Sequence, residues 1–307
     1  MAAKIKDPRV TEQRNPRTVG IDLASPLEIV DLINAEDRTV PGAVATQRER
    51  IAEAIAAAEV AFRAGGRLFY AGAGTSGRLG ILDAAECPPT YGTDPEMVQG
   101  LIAGGPPAIL RAQEGAEDLP ENGARDIDAH DVDARDFVVG IAASGTTPYV
   151  RGALARAKEI GARTALVACS PPPADTLAQA DIAIVAVTGP EVVTGSTRMK
   201  AGTATKLILN TITTGAMIRL GKTYGNLMVD LRATNLKLKD RSERIVVEVC
   251  GLDRPAARRL LEAADKRVKL AIVMCKLGID RASAEAALDA AGGVIRRVVR
   301  DEPPPIT

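Results

Sequence analysis

Three short stretches place small hydroxyl residues where a phosphate can be held. "GAGTSG" spans residues 72–77, "AASGTTP" spans 142–148, and "GPEVVTGSTRMKAGT" spans 189–203. Each follows a short apolar run and precedes a helical pattern. In the first, the glycines let backbone amides approach an anion, and Thr75 and Ser76, beside Gly77, add hydroxyl donors at a helix N-terminus. The second offers Ser144, Gly145, Thr146 and Thr147 at the start of another helix, and the third offers Glu191, Ser196, Thr197, Arg198 and Lys200. Three such turns together point to one phosphate gripped by Ser and Thr.

The first stretch also spells G-x-G-x-x-G with Gly72, Gly74 and Gly77, the spacing of a dinucleotide loop. That reading needs an acidic residue about 20 positions on, at the end of the next strand, to hold a ribose. The next apolar run, "MVQGLIAGG", ends in Gly104 and Gly105, and its nearest acids, Asp94 and Glu96, lie before it. The nucleotide reading is therefore disfavoured. So is a bare strand-to-helix turn, because two further hydroxyl-rich turns go unexplained by it.

The elements that position these turns are legible. "RLFYAGAG" (67–74), "MVQGLIAGG" (97–105), "DFVVGIAASG" (136–145), "TALVACS" (164–170) and "DIAIVAVTG" (181–189) read as strands buried on both faces. Helical segments fall between most of them, near 77–86, 106–115, 148–160 and 174–180. The expected fold is α/β: a doubly wound, five-stranded parallel sheet. In such sheets ligands sit at the carboxyl ends of the strands, where the three turns lie. Upstream, a helix is expected within "SPLEIVDLINAEDRTVP", ended by Pro41, and an Ala-rich one over 50–65. A long helix is expected over 198–220. From 246 onward amphipathic patterns indicate a small all-helical C-terminal module. The expected divisions are an N-terminal segment and helix (1–48), the sheet domain (49–240), the helical module (241–300) and a tail (301–307).

Composition excludes several classes. Lys plus Arg equals Asp plus Glu, 39 each, so no global field favours nucleic acid or an anionic membrane. Three Phe, four Tyr and no Trp argue against base-stacking platforms. Four dispersed cysteines and one histidine leave no zinc-site pattern, and reduced thiols fit the cytoplasm. No membrane span or signal peptide is recognisable, so a soluble, cytoplasmic protein with no metal or cofactor is expected. The histidine, His130, sits in "DIDAHDVDARD", read as a polar surface linker.

The turns also carry a resemblance. "GAGTSG" and "SGTT" resemble the two phosphate loops of sugar isomerase domains, whose second loop runs roughly S-x-S-G-x-T; Ser144 and Thr147 match, and Ala142 stands in place of the first Ser. "GPEVVTGSTRMKAGTATKLILN" resembles the signature shared by N-acetylmuramic acid 6-phosphate etherases and the glucokinase regulatory protein. "TEQRNPRTVGID", "INAEDRTVP", "GAGTSGRLGILDAAECPPTYG", "EGAED" and "GNLMVDLRATNLKL" resemble the etherase branch, over nearly the whole chain.

That resemblance implies a reaction: removal of D-lactate from N-acetylmuramic acid 6-phosphate, leaving N-acetylglucosamine 6-phosphate. The accessible route opens the sugar ring, which makes the proton on carbon 2 acidic. Its removal expels lactate from carbon 3, and water then adds. A base and an acid are required. By resemblance Glu117 in "EGAED" is the base and Glu86 in "DAAECPP" the acid. By the same resemblance Glu191 either helps ring opening or holds a sugar hydroxyl, Ser196 and Thr197 are expected to contact the sugar phosphate, and Arg198 and Lys200 either offset its charge or anchor their helix. Glu86 lies ten residues past Ser76, about 15 Å along a straight helix. Either that helix ends early or bends, or Glu86 completes a site in a partner subunit. The family implied is dimeric, and a site shared across a homodimer is the reading favoured. Two alternatives remain: a non-enzymatic sugar-phosphate sensor and an aldose–ketose isomerase of the same fold.

Overall fold

The computed structural model describes Asp7, residues 9–231 and residues 236–300. Asn235, in a family-like stretch, and the expected tail at 301–307 lie outside the described residues. The chain divides into two compact units: Met1–Ala85 with Glu96–Thr213, and Glu86–Pro95 with Thr214–Thr307.

The first unit opens with a segment of short turns and then α1 (Pro26–Asp37). Ser25 and Glu28 form a capping box there: the Ser25 amide donates to Glu28 Oε2 at 2.7 Å, and the Glu28 amide donates to Ser25 Oγ at 3.4 Å. Pro41 does not end this helix. It lies in the first turn of a separate one, α2 (Val40–Ala45), where a missing amide hydrogen is harmless. Next, α3 (Arg48–Arg63) buries Ile51, Ala54, Ala58, Ala61 and Phe62, spaced to form one apolar stripe.

The sheet follows: β1 (Leu68–Gly72), α4 (Gly74–Tyr91), β2 (Val98–Ile102), α5 (Pro107–Leu110), α6 (Pro120–Ala129), β3 (Phe137–Ile141), α7 (Pro148–Ile160), β4 (Arg163–Ala168), α8 (Ala174–Leu177), β5 (Ile182–Val185) and α9 (Lys200–Arg219). The strands are all parallel, in the order β2-β1-β3-β4-β5. β1 and β3 are buried throughout, as expected of strands covered on both faces. Register levels their carboxyl ends: Gly72 lies opposite both Ile102 and Ile141, and Ile141 opposite Val167. The strand order reverses between β1 and β3, which is where ligand crevices form in such sheets.

Three elements differ from the sequence pattern. The helix expected from 77 starts at Gly74, so the glycine motif is largely the first turn of α4. The helix expected over 106–115 is only Pro107–Leu110. The supposed linker around His130 begins with the last residues of α6, which lies against α7 with almost no side-chain spacing. A side chain at Gly123 would lie 2.0 Å from the Tyr149 carbonyl oxygen, and one at Gly152 would lie 1.9 Å from that of Pro120. Because glycines make this contact, α6 has no wide apolar stripe to reveal it. His130 is half-buried at the end of α6; its Nδ1 lies 2.8 Å from the Asp126 carbonyl oxygen, and its ring meets Phe69 edge-on at 6.2 Å.

The second unit holds a short hairpin, β6 (Thr223–Tyr224) and β7 (Leu227–Met228), then α10 (Leu236–Cys250), α11 (Arg254–Ala263), α12 (Val268–Leu277), α13 (Arg281–Ala290) and α14 (Ile295–Val299). Its core centres on α12, which buries Leu270, Ala271, Ile272 and Val273 in succession. Asp253 and Asp280 cap α11 and α13 by accepting from the amides of Ala256 and Ser283.

Candidate functional site

The glycine turn after β1 is shaped by close approach. A side chain at Gly77 would lie 2.7 Å from the Gly72 carbonyl oxygen and 2.7 Å from Ile102 Cγ1, and Gly74 has φ +52°. Two of the three glycines thus press strand against helix, and the other turns the chain. Thr75 and Ser76 then lie in the first turn of α4, half-buried, where the helix leaves backbone amides without a carbonyl partner.

After β3, the Ser144 hydroxyl lies 2.9 Å from the Thr146 hydroxyl and accepts from the Thr146 amide at 3.3 Å. Gly145 has φ +77° and comes against Pro172, so the turns after β3 and β4 abut. Thr147 stands at the N-cap of α7 but makes no side-chain cap there. The loop after β2 joins the same turn, because the Tyr149 amide donates to the Glu117 carbonyl at 3.0 Å. This places Glu117, whose side chain is exposed, beside the start of α7. The same loop also closes over the end of β2, where a side chain at Gly104 would lie 3.0 Å from Gln113 Cβ and 3.3 Å from Ala116 Cβ.

The turn after β5 closes the ring. A side chain at Gly202 would lie 3.4 Å from the Thr197 carbonyl oxygen and 3.7 Å from Thr75 Cγ2, so the first and third hydroxyl turns are neighbours. Ser196 and Thr197 are half-buried. Glu191 is fully buried; its Oε2 accepts from the Lys200 amide at 3.0 Å and its Oε1 from the Ala201 amide at 2.9 Å. The carboxylate therefore occupies the anion-attracting end of α9. Burial raises its pKa, opposed by the Ala201 and Lys200 amides.

Lys200 is also fully buried, and its Nζ donates to Glu36 Oε2 at 2.7 Å. Arg17 donates to the same carboxylate, with Nη2 at 2.8 Å from Oε2 and Nε bonded to Oε1. Of the two roles open to Lys200, the geometry gives it the anchoring one. The Arg17 guanidinium chiefly, then Lys200 and Asn15, hold the Glu36 carboxyl at about 2 against the opposing effect of burial. Arg198 is exposed.

Sequence reasoning missed the strap that fastens this turn. Val10 donates its amide to Ser170 Oγ (3.0 Å), the Gly195 amide donates to the Thr11 carbonyl (3.2 Å), Asn15 Nδ2 donates to the Pro190 carbonyl (3.3 Å), and Thr18 Oγ1 donates to the Val192 carbonyl (2.8 Å). The segment is polar and aperiodic because its residues bond a distant loop. Its one signal was the family-like "TEQRNPRT". A second hidden network surrounds buried Asp83, which accepts from Tyr70 (2.8 Å), Asn210 (2.5 Å) and Thr213 (3.2 Å), and whose pKa burial raises. Cys169, buried after β4, has its thiol pushed up to about 12 by burial, which disfavours the thiolate.

Glu86 is exposed on α4. That helix runs through it without ending early, and Pro88 and Pro89, the residues that bend helices, lie beyond it. Among the described residues, no cluster of His, Cys, Asp and Glu has metal-site geometry, and no helix is long and apolar enough to cross a membrane.

A parallel sheet of this order, with Ser/Thr-bearing turns along its carboxyl edge, is the architecture of a sugar isomerase domain. The family model for the glucokinase regulatory protein N-terminal sugar isomerase domain matches residues 50–158. Full-length similarity is narrower: the chain belongs to the N-acetylmuramic acid 6-phosphate etherase family. It is 52% identical over 290 residues to the N-acetylmuramic acid 6-phosphate etherase of Pectobacterium atrosepticum, covering 94% of this chain and 95% of that protein. It is 55% identical over 292 residues to N-acetylmuramic acid 6-phosphate etherase 2 of Vibrio parahaemolyticus, covering 95% and 97%. Among solved structures, the sugar isomerase domain of the RpiR transcription factor from Sphaerobacter thermophilus aligns at a TM-score of 0.44 and 16% identity, covering 62% of this chain and 97% of that one.

Proposed function

We propose that this protein cleaves the D-lactyl ether of N-acetylmuramic acid 6-phosphate, giving N-acetylglucosamine 6-phosphate and D-lactate. The observation that carries the proposal is full-length similarity of 50–55% to etherases, joined to a fold that gathers the hydroxyl turns at one sheet edge. Thr75, Ser76, Gly77, Ser144, Gly145, Thr146 and Thr147 hold the 6-phosphate through hydroxyls and first-turn amides. Ser196 and Thr197 contact the sugar from the third turn. Glu191, both oxygens bonded to α9, acts by shaping that turn.

Chemistry starts from the open-chain aldehyde. Glu117 removes the proton from carbon 2. The electron pair of that bond forms the carbon 2–carbon 3 double bond, and the carbon 3–oxygen bond breaks. The departing lactate oxygen takes its proton from Glu86. Water then adds at carbon 3, losing a proton to Glu86, and Glu117 returns a proton to carbon 2. Both carboxyls finish as they began. The exposed loop position of Glu117, fixed by its backbone bond to the start of α7, suits a base that meets an open-chain substrate.

Glu86 serves this chemistry from the partner subunit of a homodimer: α4 carries it away from Thr75 and Ser76 on a continuous helix. The setting is cytoplasmic catabolism or recycling of cell-wall sugars. Incubating the purified protein with N-acetylmuramic acid 6-phosphate and measuring D-lactate tests the activity. Sugar-phosphate binding without lactate release would replace the etherase by a sensor. Mixing Glu86→Gln and Glu117→Gln subunits tests the sharing: recovery of activity is expected in the mixed dimer, and its absence would return Glu86 to its own chain.

A further inference from the structure

We propose that Arg78 is a positioning residue that holds the Glu117 loop at a fixed distance from the phosphate turn. This rests on the reading of Glu117 as the carbon 2 base. Arg78 follows Thr75 by one helical turn on α4. Its Nε donates to the Ile109 carbonyl at 2.9 Å and its Nη2 to the Ala108 carbonyl at 2.7 Å. These carbonyls belong to the last turn of α5, a helix end that attracts a cation.

At its start α5 is tied to the end of β2, where the Gly105 amide donates to the Ile102 carbonyl at 2.8 Å. Four residues are too few for a helix to persist alone. Ala108 is its only buried side chain, while Ile109 is 38% and Leu110 is 88% exposed. Side-chain burial contributes a methyl group, so at the C-terminal end of α5 the two charge-assisted bonds from Arg78 are a main restraint. The chain then runs through exposed residues 111–115 to Glu117, whose carbonyl is pinned by the Tyr149 amide. The loop carrying the base is thus held at both ends, and between them Gln113 and Ala116 pack against Gly104. One anchor is Tyr149, beside the Ser144–Thr147 turn. The other is Arg78, on the helix whose first turn holds Thr75 and Ser76. A phosphate seated on α4 and the base that reaches carbon 2 are linked through this guanidinium.

A side chain of purely structural value would, when lost, weaken binding and chemistry together. A positioning role separates them. The test compares Arg78→Met and Arg78→Lys with the native protein by two readouts: deuterium incorporation at carbon 2 during turnover of N-acetylmuramic acid 6-phosphate in deuterated water, and the Kd for N-acetylglucosamine 6-phosphate. For Arg78→Met we expect carbon 2 incorporation and kcat to fall about 10- to 100-fold, the size of effect a misplacement of roughly 1 Å produces. Its Kd should stay within about threefold, since the hydroxyl turns are untouched. Arg78→Lys, which can reach one carbonyl but cannot fork, should fall between them. Native incorporation in Arg78→Met overturns the proposal, as does an equal loss in Kd and rate. If Arg78→Met does not fold, Arg78→Lys decides by the same two readouts. Glu117→Gln is the control: if it retains incorporation, the base assignment fails, whereas loss there with native rates in both Arg78 variants removes Arg78 alone.

Discussion

Removal of the Glu36 carboxylate is the perturbation whose size follows most directly from the structure. Glu36 is 2% exposed and Lys200 is 0% exposed, and their bond is 2.7 Å. Glu36→Gln keeps the shape but removes the carboxylate hydrogen-bonded to a buried ammonium, leaving the longer-range attraction of Glu191. Breaking such a buried pair destabilises by about 3–5 kcal/mol. The carboxyl is held at about 2 against an ordinary 4.5, first by the Arg17 guanidinium and then by Lys200 and Asn15, against the opposing effect of burial. A lowered carboxyl pKa stabilises the folded state fully above pH 4.5, and that contribution disappears as pH falls toward 2. Arg17 is the largest influence on the carboxyl, but its side chain is 61% exposed, so water and salt screen its share. Arg17→Met should therefore cost about 1 kcal/mol or less, far below Glu36→Gln. Urea unfolding at pH 7, repeated at pH 3, measures both. A loss under about 1 kcal/mol for Glu36→Gln, or the same difference from native at both pH values, would refute the reasoning. The paired replacement Glu36→Leu with Lys200→Met should recover part of the loss, because the ammonium goes with its partner while Glu191 keeps its two amide bonds.

Other consequences follow from single sites. Ser144→Ala removes the hydroxyl that bonds the Thr146 amide and lies 2.9 Å from the Thr146 hydroxyl; KM for the sugar phosphate should rise about tenfold, and the preference for 6-phosphorylated over free sugar should weaken, as initial-rate measurements on both would show. Gly77→Ala puts a methyl group 2.7 Å from the Gly72 carbonyl and Ile102 Cγ1, so it should destabilise by about 1–3 kcal/mol in denaturant melts, with loss of sugar-phosphate binding as α4 shifts. Cys169, with its thiol at about 12, should resist iodoacetamide at pH 8 until the chain is unfolded; mass spectrometry of the labelled peptides would reveal early modification.

The sheet was legible because β1 and β3, buried on both faces, write themselves as uninterrupted apolar runs. The first two hydroxyl turns were legible by the same logic, since they follow those runs, and the third follows the apolar run of β5. What escaped depended on contacts distant in sequence. Lys200 meets a carboxylate 164 positions away, so no local pattern could assign it to anchoring. Glu191 reads as a loop acid until α9 supplies the amides it caps. The helix α6 was hidden because Gly123 makes its closest approach to α7, and glycine adds nothing to an apolar pattern. Pro41 looked like a terminator because a helix-starting proline and a helix-ending one are the same letter, told apart only by the turn that follows. The acids at 86 and 117 would have passed for solvated surface residues without the family likeness, and both side chains are indeed exposed.

The central claim is that the bond between carbon 3 and the ether oxygen is the one broken. Turnover of N-acetylmuramic acid 6-phosphate in water enriched in oxygen-18 tests it most directly. Elimination followed by hydration predicts solvent oxygen on carbon 3 of N-acetylglucosamine 6-phosphate and none in the hydroxyl of D-lactate. Solvent oxygen in that lactate hydroxyl, or no lactate from a protein that binds the sugar phosphate, would contradict it.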